Sequence, residues 1–106
     1  MRVLLIDPTH KTIEELHLNE DQVLKELYKA MNCSIVERIV SADRKLQIVV
    51  DEEGAFKEND AFLFLPTFSV YTNPYVGKAV VMGYDFTSLP EDITIDYIKA
   101  NTKFLA

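Results

Sequence analysis

The chain alternates short apolar runs with compact polar turns, and the spacing of the runs predicts its elements. "RVLLID" at residues 2–7 reads as a β-strand. Val3, Leu4, Leu5 and Ile6 follow one another without polar alternation, the pattern of a central strand covered on both faces. "DPTHKT" is turn chemistry, with Pro8 fixing φ and Asp7 able to accept from following backbone N–H groups. "TIEELHL" predicts a returning strand with Ile13 and Leu16 or Leu18 inward. "NEDQVLKELYKAM" predicts a helix. Asn19 is placed to cap it, Glu20 and Asp21 suit the positive end of its dipole, and Val23, Leu24, Leu27, Tyr28 and Met31 form an apolar stripe. Asn32 suits a left-handed cap at its end.

"SIVERIV" and "KLQIVV" predict two strands joined by "SADR" as an antiparallel hairpin. "DEEG" at 51–54 reads as a turn in which Gly54 supplies a positive φ and the carboxylates lie in water. "AFLFLPTFSVYTNPY" is apolar and aromatic without clean periodicity. Pro66 and Pro74 break it, which predicts a loop or short helix. "VGKAVVMGY" predicts a further strand. "SLPEDITIDYIKANTKF" predicts a closing helix begun by a capping box of Ser88 and Glu91, with Pro90 in its first turn and Ile93, Tyr97, Ala100 and Phe104 inward. The expected fold class is α+β: a mostly antiparallel sheet of four or five strands with two helices packed on one face.

Length places all of residues 1–106 in a single domain. A hydrophobic content of 48% and a charged content of 26% belong to an ordinary globular chain. The net charge of −6 and the scattered cations argue against nucleic acid as a partner. The lone Cys33 excludes an internal disulfide and a cysteine-based zinc site, and fits a reducing compartment. No run reaches about 20 apolar residues, and "MRVLLI" is too short for a secretion signal. The expected location is the cytoplasm of a host cell, with no membrane partner.

"VLLIDP" near the start, "VVDEEG" in the middle and "YVGKAVVMGYD…SLPEDI" near the end together resemble a family of small uncharacterised domains of bacteriophages and mobile elements. That family's pattern is a V-x-x-I-D-P strand, a helix, an N-E-D-G-like turn, a D-x-I-x-G-x-V-V-V-x-G strand and a closing S-L helix. The sequence departs from it in three places. Asn73 stands where the family has Asp, the central turn starts with Asp51, and the segment from Phe62 to Tyr75 is richer in aromatic residues. The resemblance implies an accessory gene product of phage or mobile-element origin, of a kind that binds a host component or a signalling molecule.

Candidate chemistry is sparse. Asp51 and Glu53 alternate, but Gly54 sits at the fourth position where a calcium loop places its glycine sixth, so the acidic turn is no metal site. His10 and His17 would have to meet across a hairpin to share a metal, and no spacing requires it. Cys33 follows a helix, whose C-terminal end disfavours a thiolate, and no nucleophile motif is present. An enzyme therefore has no support in the residues, and no cofactor is expected. Phe62, Phe64, Phe68, Tyr71 and Tyr75 are dense for a proline-broken segment, either as a binding platform or as cover for the sheet. The candidate binding residues are Phe68, Tyr71, Asn73 and Tyr75, with Arg44 and Lys78 as cations; Arg2, Arg38 and Lys57 are further cations of the same use.

The expected function is a non-catalytic binding protein that sequesters a host protein or a small nucleotide-like signalling ligand, in a counter-defence role. The alternative is a structural or regulatory module that forms a homo-oligomer.

Overall fold

The computed structural model describes residues 1–54, 60–69 and 73–105. Among the described residues, eight strands, two α-helices and a short 3-10 turn (Glu20–Gln22, between β2 and α1) run in the order β1 (Arg2–Asp7), β2 (Thr12–His17), α1 (Val23–Met31), β3 (Val36–Val40), β4 (Leu46–Asp51), β5 (Ala61–Phe64), β6 (Tyr75–Val76), β7 (Ala79–Gly83), α2 (Ile95–Ala100) and β8 (Thr102–Phe104). The fold class is α+β.

Five strands form one fully antiparallel sheet in the order β2-β1-β7-β4-β3. The unbroken apolar runs occupy its three inner strands, where both faces are covered. Leu4, Ile6, Ile48, Val50 and Val81 point to one face, and Val3, Leu5, Val49, Val80 and Met82 to the other. The edge strands β2 and β3 carry the polar alternation instead.

The two helices lie on opposite faces, which corrects the expected single helical layer. Leu27 and Met31 of α1 pack with Val3, Val49 and Met82. Ile98 of α2 packs with Leu4, Ile48 and Phe62. The space beside α2 is filled by a second antiparallel sheet, β6-β5-β8, that the sequence did not announce. The segment expected to be a loop or short helix thus begins as β5. Its alternation is real but only four residues long: Phe62 and Phe64 point inward with no exposed surface, and Ala61 and Leu63 are half-buried.

The closing helix is shorter than its spacing suggested. Thr94, not Ser88, is its N-cap and accepts from the Tyr97 N–H at 3.1 Å. Ser88 accepts instead from the Arg2 N–H at 3.2 Å, and the Leu89 N–H donates to Arg2 O at 2.8 Å. Arg2 completes this clasp by donating from its guanidinium to Pro90 O at 3.2 Å and Ile93 O at 2.8 Å. Residues 88–93, which include a turn closed by the Ile93 N–H on Pro90 O at 3.1 Å, are therefore held against the start of β1. Ile98 is the buried anchor of α2, Tyr97 is 40% exposed, and Phe104 belongs to β8.

The acidic turn is built differently from the expectation. The Asp51 carboxylate is buried and accepts from the Glu53 N–H at 2.9 Å, while Glu52 and Glu53 face solvent. Gly54 does not adopt a positive φ. It is needed for proximity, because a Cβ there would stand 2.3 Å from the carbonyl oxygen of Val76. The left-handed glycine is Gly77, with φ 91°.

Candidate functional site: the groove along the β3 edge

Strand β3 ends the five-stranded sheet, and its hairpin to β4 is shaped by two side chains. The Ser41 hydroxyl donates to the Asp43 carboxylate at 2.5 Å and accepts from the Leu46 N–H at 3.1 Å. The same Asp43 oxygen accepts from the Lys45 N–H at 2.9 Å. Hydrogen bonds from the Ser41 hydroxyl and the Lys45 amide hold the Asp43 carboxyl below the usual aspartate range, against an opposing effect of burial. Arg44 closes this turn in the left-handed region, φ 61°, with its N–H on Ser41 O at 2.9 Å. The turn so places the Arg44 side chain at the end of the strand, exposed.

A groove of about 770 Å³ runs beside β3. Its floor and sides come from the consecutive residues 37–42, with Arg44, Asn73, Tyr75 and Tyr84 around them. Tyr75 reaches it from the face of the three-stranded sheet, where its ring lies 5.8 Å from Phe62 and 6.1 Å from Phe64, centre to centre. Tyr84 follows β7 and stands half-exposed. The Arg38 guanidinium sits 5.8 Å from the centres of both the Tyr84 and Phe86 rings, and 3.4 Å from an Asp85 carboxylate oxygen. Asp85 and Phe86 both take φ near 60° without a glycine, within the three-residue loop 84–86 that the paired Gly83 and Thr87 close. The Phe86 N–H is held there by the Oε1 of the fully buried Gln47, at 3.2 Å.

Three of the residues singled out from sequence, Arg44, Asn73 and Tyr75, meet in this groove, and so does Arg38. Phe68 does not: it is 2% exposed and its ring packs 4.8 Å from Phe64 in the core. Lys78 is half-buried on another part of the surface, where its charge acts on Asp7. Tyr71 lies outside the described residues, and so does Lys57. Tyr84 was missed, because "GYDF" carries no Asn-Gly signal and reads as the end of a strand rather than a turn.

The other candidates separate in space. The β1–β2 register pairs Arg2 with His17 and Asp7 with Thr12, so His17 and His10 stand at opposite ends of the hairpin. His10 bonds the Asp7 carboxylate through Nδ1 at 2.8 Å. His17 bonds Glu15 at 3.2 Å, and Glu15 in turn bonds the Arg2 Nε at 2.5 Å. Among the described residues no three His, Cys, Asp or Glu side chains gather as a metal site requires, and no helix is long and apolar enough to cross a membrane.

The chain matches the model of the family described as "Domain of unknown function (DUF3846)" over residues 1–102. It belongs to that family. The match takes in the strand "VLLIDP", the "VVDEEG" turn and the "YVGKAVVMGYD" strand, so the resemblance to a family of uncharacterised domains stands. It also takes in β3 and every described residue of the groove, so the groove is formed within the DUF3846 domain itself. No curated protein and no solved structure matches the chain.

Proposed function

We propose that this DUF3846 domain is a non-catalytic binding protein, and that the groove along β3 is its capture surface for a partner carrying a negatively charged group. One observation carries the reading. Arg38, Arg44, Asn73, Tyr75 and Tyr84 come from three separate segments of the chain and converge on a single groove. Its volume lies in the range of sites that enclose a ligand. Arg38 supplies planar donors already oriented by the two rings beside it, and Arg44 supplies a second cation. A phage or mobile-element origin fits such a role: a small host-cytoplasmic protein that sequesters a host component or a signalling nucleotide, as in counter-defence.

The test is a thermal-shift screen against nucleotides, cyclic dinucleotides and acidic peptides, on the native protein and on the Arg38→Ala/Arg44→Ala variant. A ligand that binds only the folded state raises its melting temperature. Capture in the groove predicts a shift that the variant loses. Equal shifts in both proteins would place binding elsewhere, and no shift with any compound would remove the small-ligand form of the reading.

A second reading has its own support. β3 is an open sheet edge, and open edges pair with copies of themselves. A homo-oligomer built on it would appear in light scattering as a dimer mass.

A further inference from the structure

We infer that the occupant of the groove is an extended peptide segment, which joins the sheet as a sixth strand beside Arg38 and Val40 and places an acidic side chain opposite Arg38. This rests on the reading of the groove as the capture surface and names the kind of partner.

The pairing of β3 with β4 shows which backbone groups are open. The Ser41 N–H donates to Leu46 O at 3.0 Å, and the Glu52 N–H donates to Ile35 O at 3.1 Å. In an antiparallel pair the bonded residues alternate. Ile35, Glu37, Ile39 and Ser41 therefore turn their backbone groups towards β4, and Val36, Arg38, Val40 and Ala42 turn theirs away. Ala42 confirms the alternation, since its N–H donates outward to Phe68 O at 2.7 Å. The chain thus occupies its own edge at Ala42 and, among the described residues, leaves the N–H and C=O groups of Arg38 and Val40 facing the groove.

The lining has the same meaning. Successive side chains of a strand point to opposite faces, so a groove on one face would touch every second residue. This one touches every residue from 37 to 42, and so runs along the edge itself. Tyr75 flanks it from the side of the three-stranded sheet. Tyr84 flanks it from the opposite side, where it meets Arg38. A slot between two such walls suits one extended chain, about 4.8 Å from β3. Main-chain bonds would give affinity and alternate side chains specificity. On one face the partner residue meets Arg38, which calls for a carboxylate. On the other it meets Ile39, which calls for an apolar side chain. Arg44 extends the preference for acidic residues past the end of the strand.

The experiment pans a phage-displayed library of random ten-residue peptides on the immobilised native protein and measures the selected peptides by fluorescence anisotropy. Val40→Pro removes one outward donor and leaves the β3–β4 ladder intact, a change that edge strands tolerate. Strand addition predicts selected peptides with an acidic residue in an extended apolar context. It predicts at least tenfold weaker binding to Val40→Pro and to Arg38→Ala. It also predicts at least tenfold slower hydrogen exchange of the Arg38 and Val40 amides in the native complex, a readout that stands even if the proline variant does not fold. Absence of any selected peptide, equal binding to a folded Val40→Pro, or protection of other amides alone would overturn it. So would a native dimer that Val40→Pro dissolves, which would seat a second copy on the edge. A nucleotide that binds through Arg38 and Arg44 without any peptide doing so would overturn strand addition and leave the capture surface in place.

Discussion

Arg38, at the middle of β3, and Tyr84, just past the end of β7, are brought together with the guanidinium carbon 5.8 Å from the ring centre. Phe86 flanks the same guanidinium at the same distance, and Asp85 pairs with it at 3.4 Å. These contacts are exposed and share one guanidinium, so together they are worth about 1 kcal/mol and their principal effect is to orient the charge. Arg38→Ala should leave urea stability within about 1 kcal/mol of native, while partner binding falls at least tenfold. Arg38→Lys should recover only part of the binding, because an ammonium lacks the planar fork. Titration of a captured ligand against each variant checks this.

Gly54 marks the contact between the acidic turn and β6. Its hypothetical Cβ would lie 2.3 Å from Val76 O, a backbone atom that cannot rotate aside. Gly54→Ala should destabilise by about 2–3 kcal/mol, read as a lower urea midpoint. Replacing Glu52 or Glu53 with Gln should change stability by less than about 0.5 kcal/mol, since both side chains are in water. A large effect at the glutamates and none at Gly54 would restore the acidic turn as the important feature.

The aromatic segment divides into core and groove. Phe64 and Phe68 pack 4.8 Å apart with at most 2% exposure. Phe68→Ala should cost about 3–5 kcal/mol and weaken binding only through unfolding. Tyr75 is half-buried and belongs to both environments. Tyr75→Phe should keep the packing and isolate any role of the hydroxyl. Denaturation curves alongside binding curves separate the two effects.

Acid should loosen the molecule through its carboxylates. Burial acts to raise the Asp7 pKa, but hydrogen bonds from the His10 ring and backbone, with the charges of His10 and Lys78, outweigh it and leave the group lowered. Asp43 is lowered by Ser41 and Lys45, and Glu15 by Arg2 and His17. A carboxyl lowered on folding contributes stability above its unfolded pKa, near 4, and loses it as pH falls through the folded value. Urea midpoints should therefore be nearly flat from about pH 7 to 5 as far as these groups act, and fall below about pH 4. Asp43→Asn should reduce that slope. A midpoint unchanged down to about pH 2 would contradict the assignment.

The inner strands were legible because burial on two faces requires continuous apolar runs, as in "VLLI" and "IVV". The hairpin at 41–46 was legible from Ser41 and Asp43, and the end of α1 from Asn32, which takes φ 52° as expected. β5 and β8 were not. Four and three residues are too few to show a period, and Thr102–Phe104 continued a helical spacing that only the Asn101 cap interrupts. The groove was half legible. Arg44, Asn73 and Tyr75 have side-chain chemistry that suggests binding, but Tyr84 depends on a strained turn held by Gln47, a contact 39 residues apart in sequence.

Affinity capture from cell lysate on the native protein and on Arg38→Ala/Arg44→Ala, with mass spectrometry of bound proteins and small molecules, tests the central claim most directly. Capture in the β3 groove predicts a molecule retained by the native protein and lost, by at least tenfold, from a variant that remains folded. Equal retention by both folded proteins would contradict it.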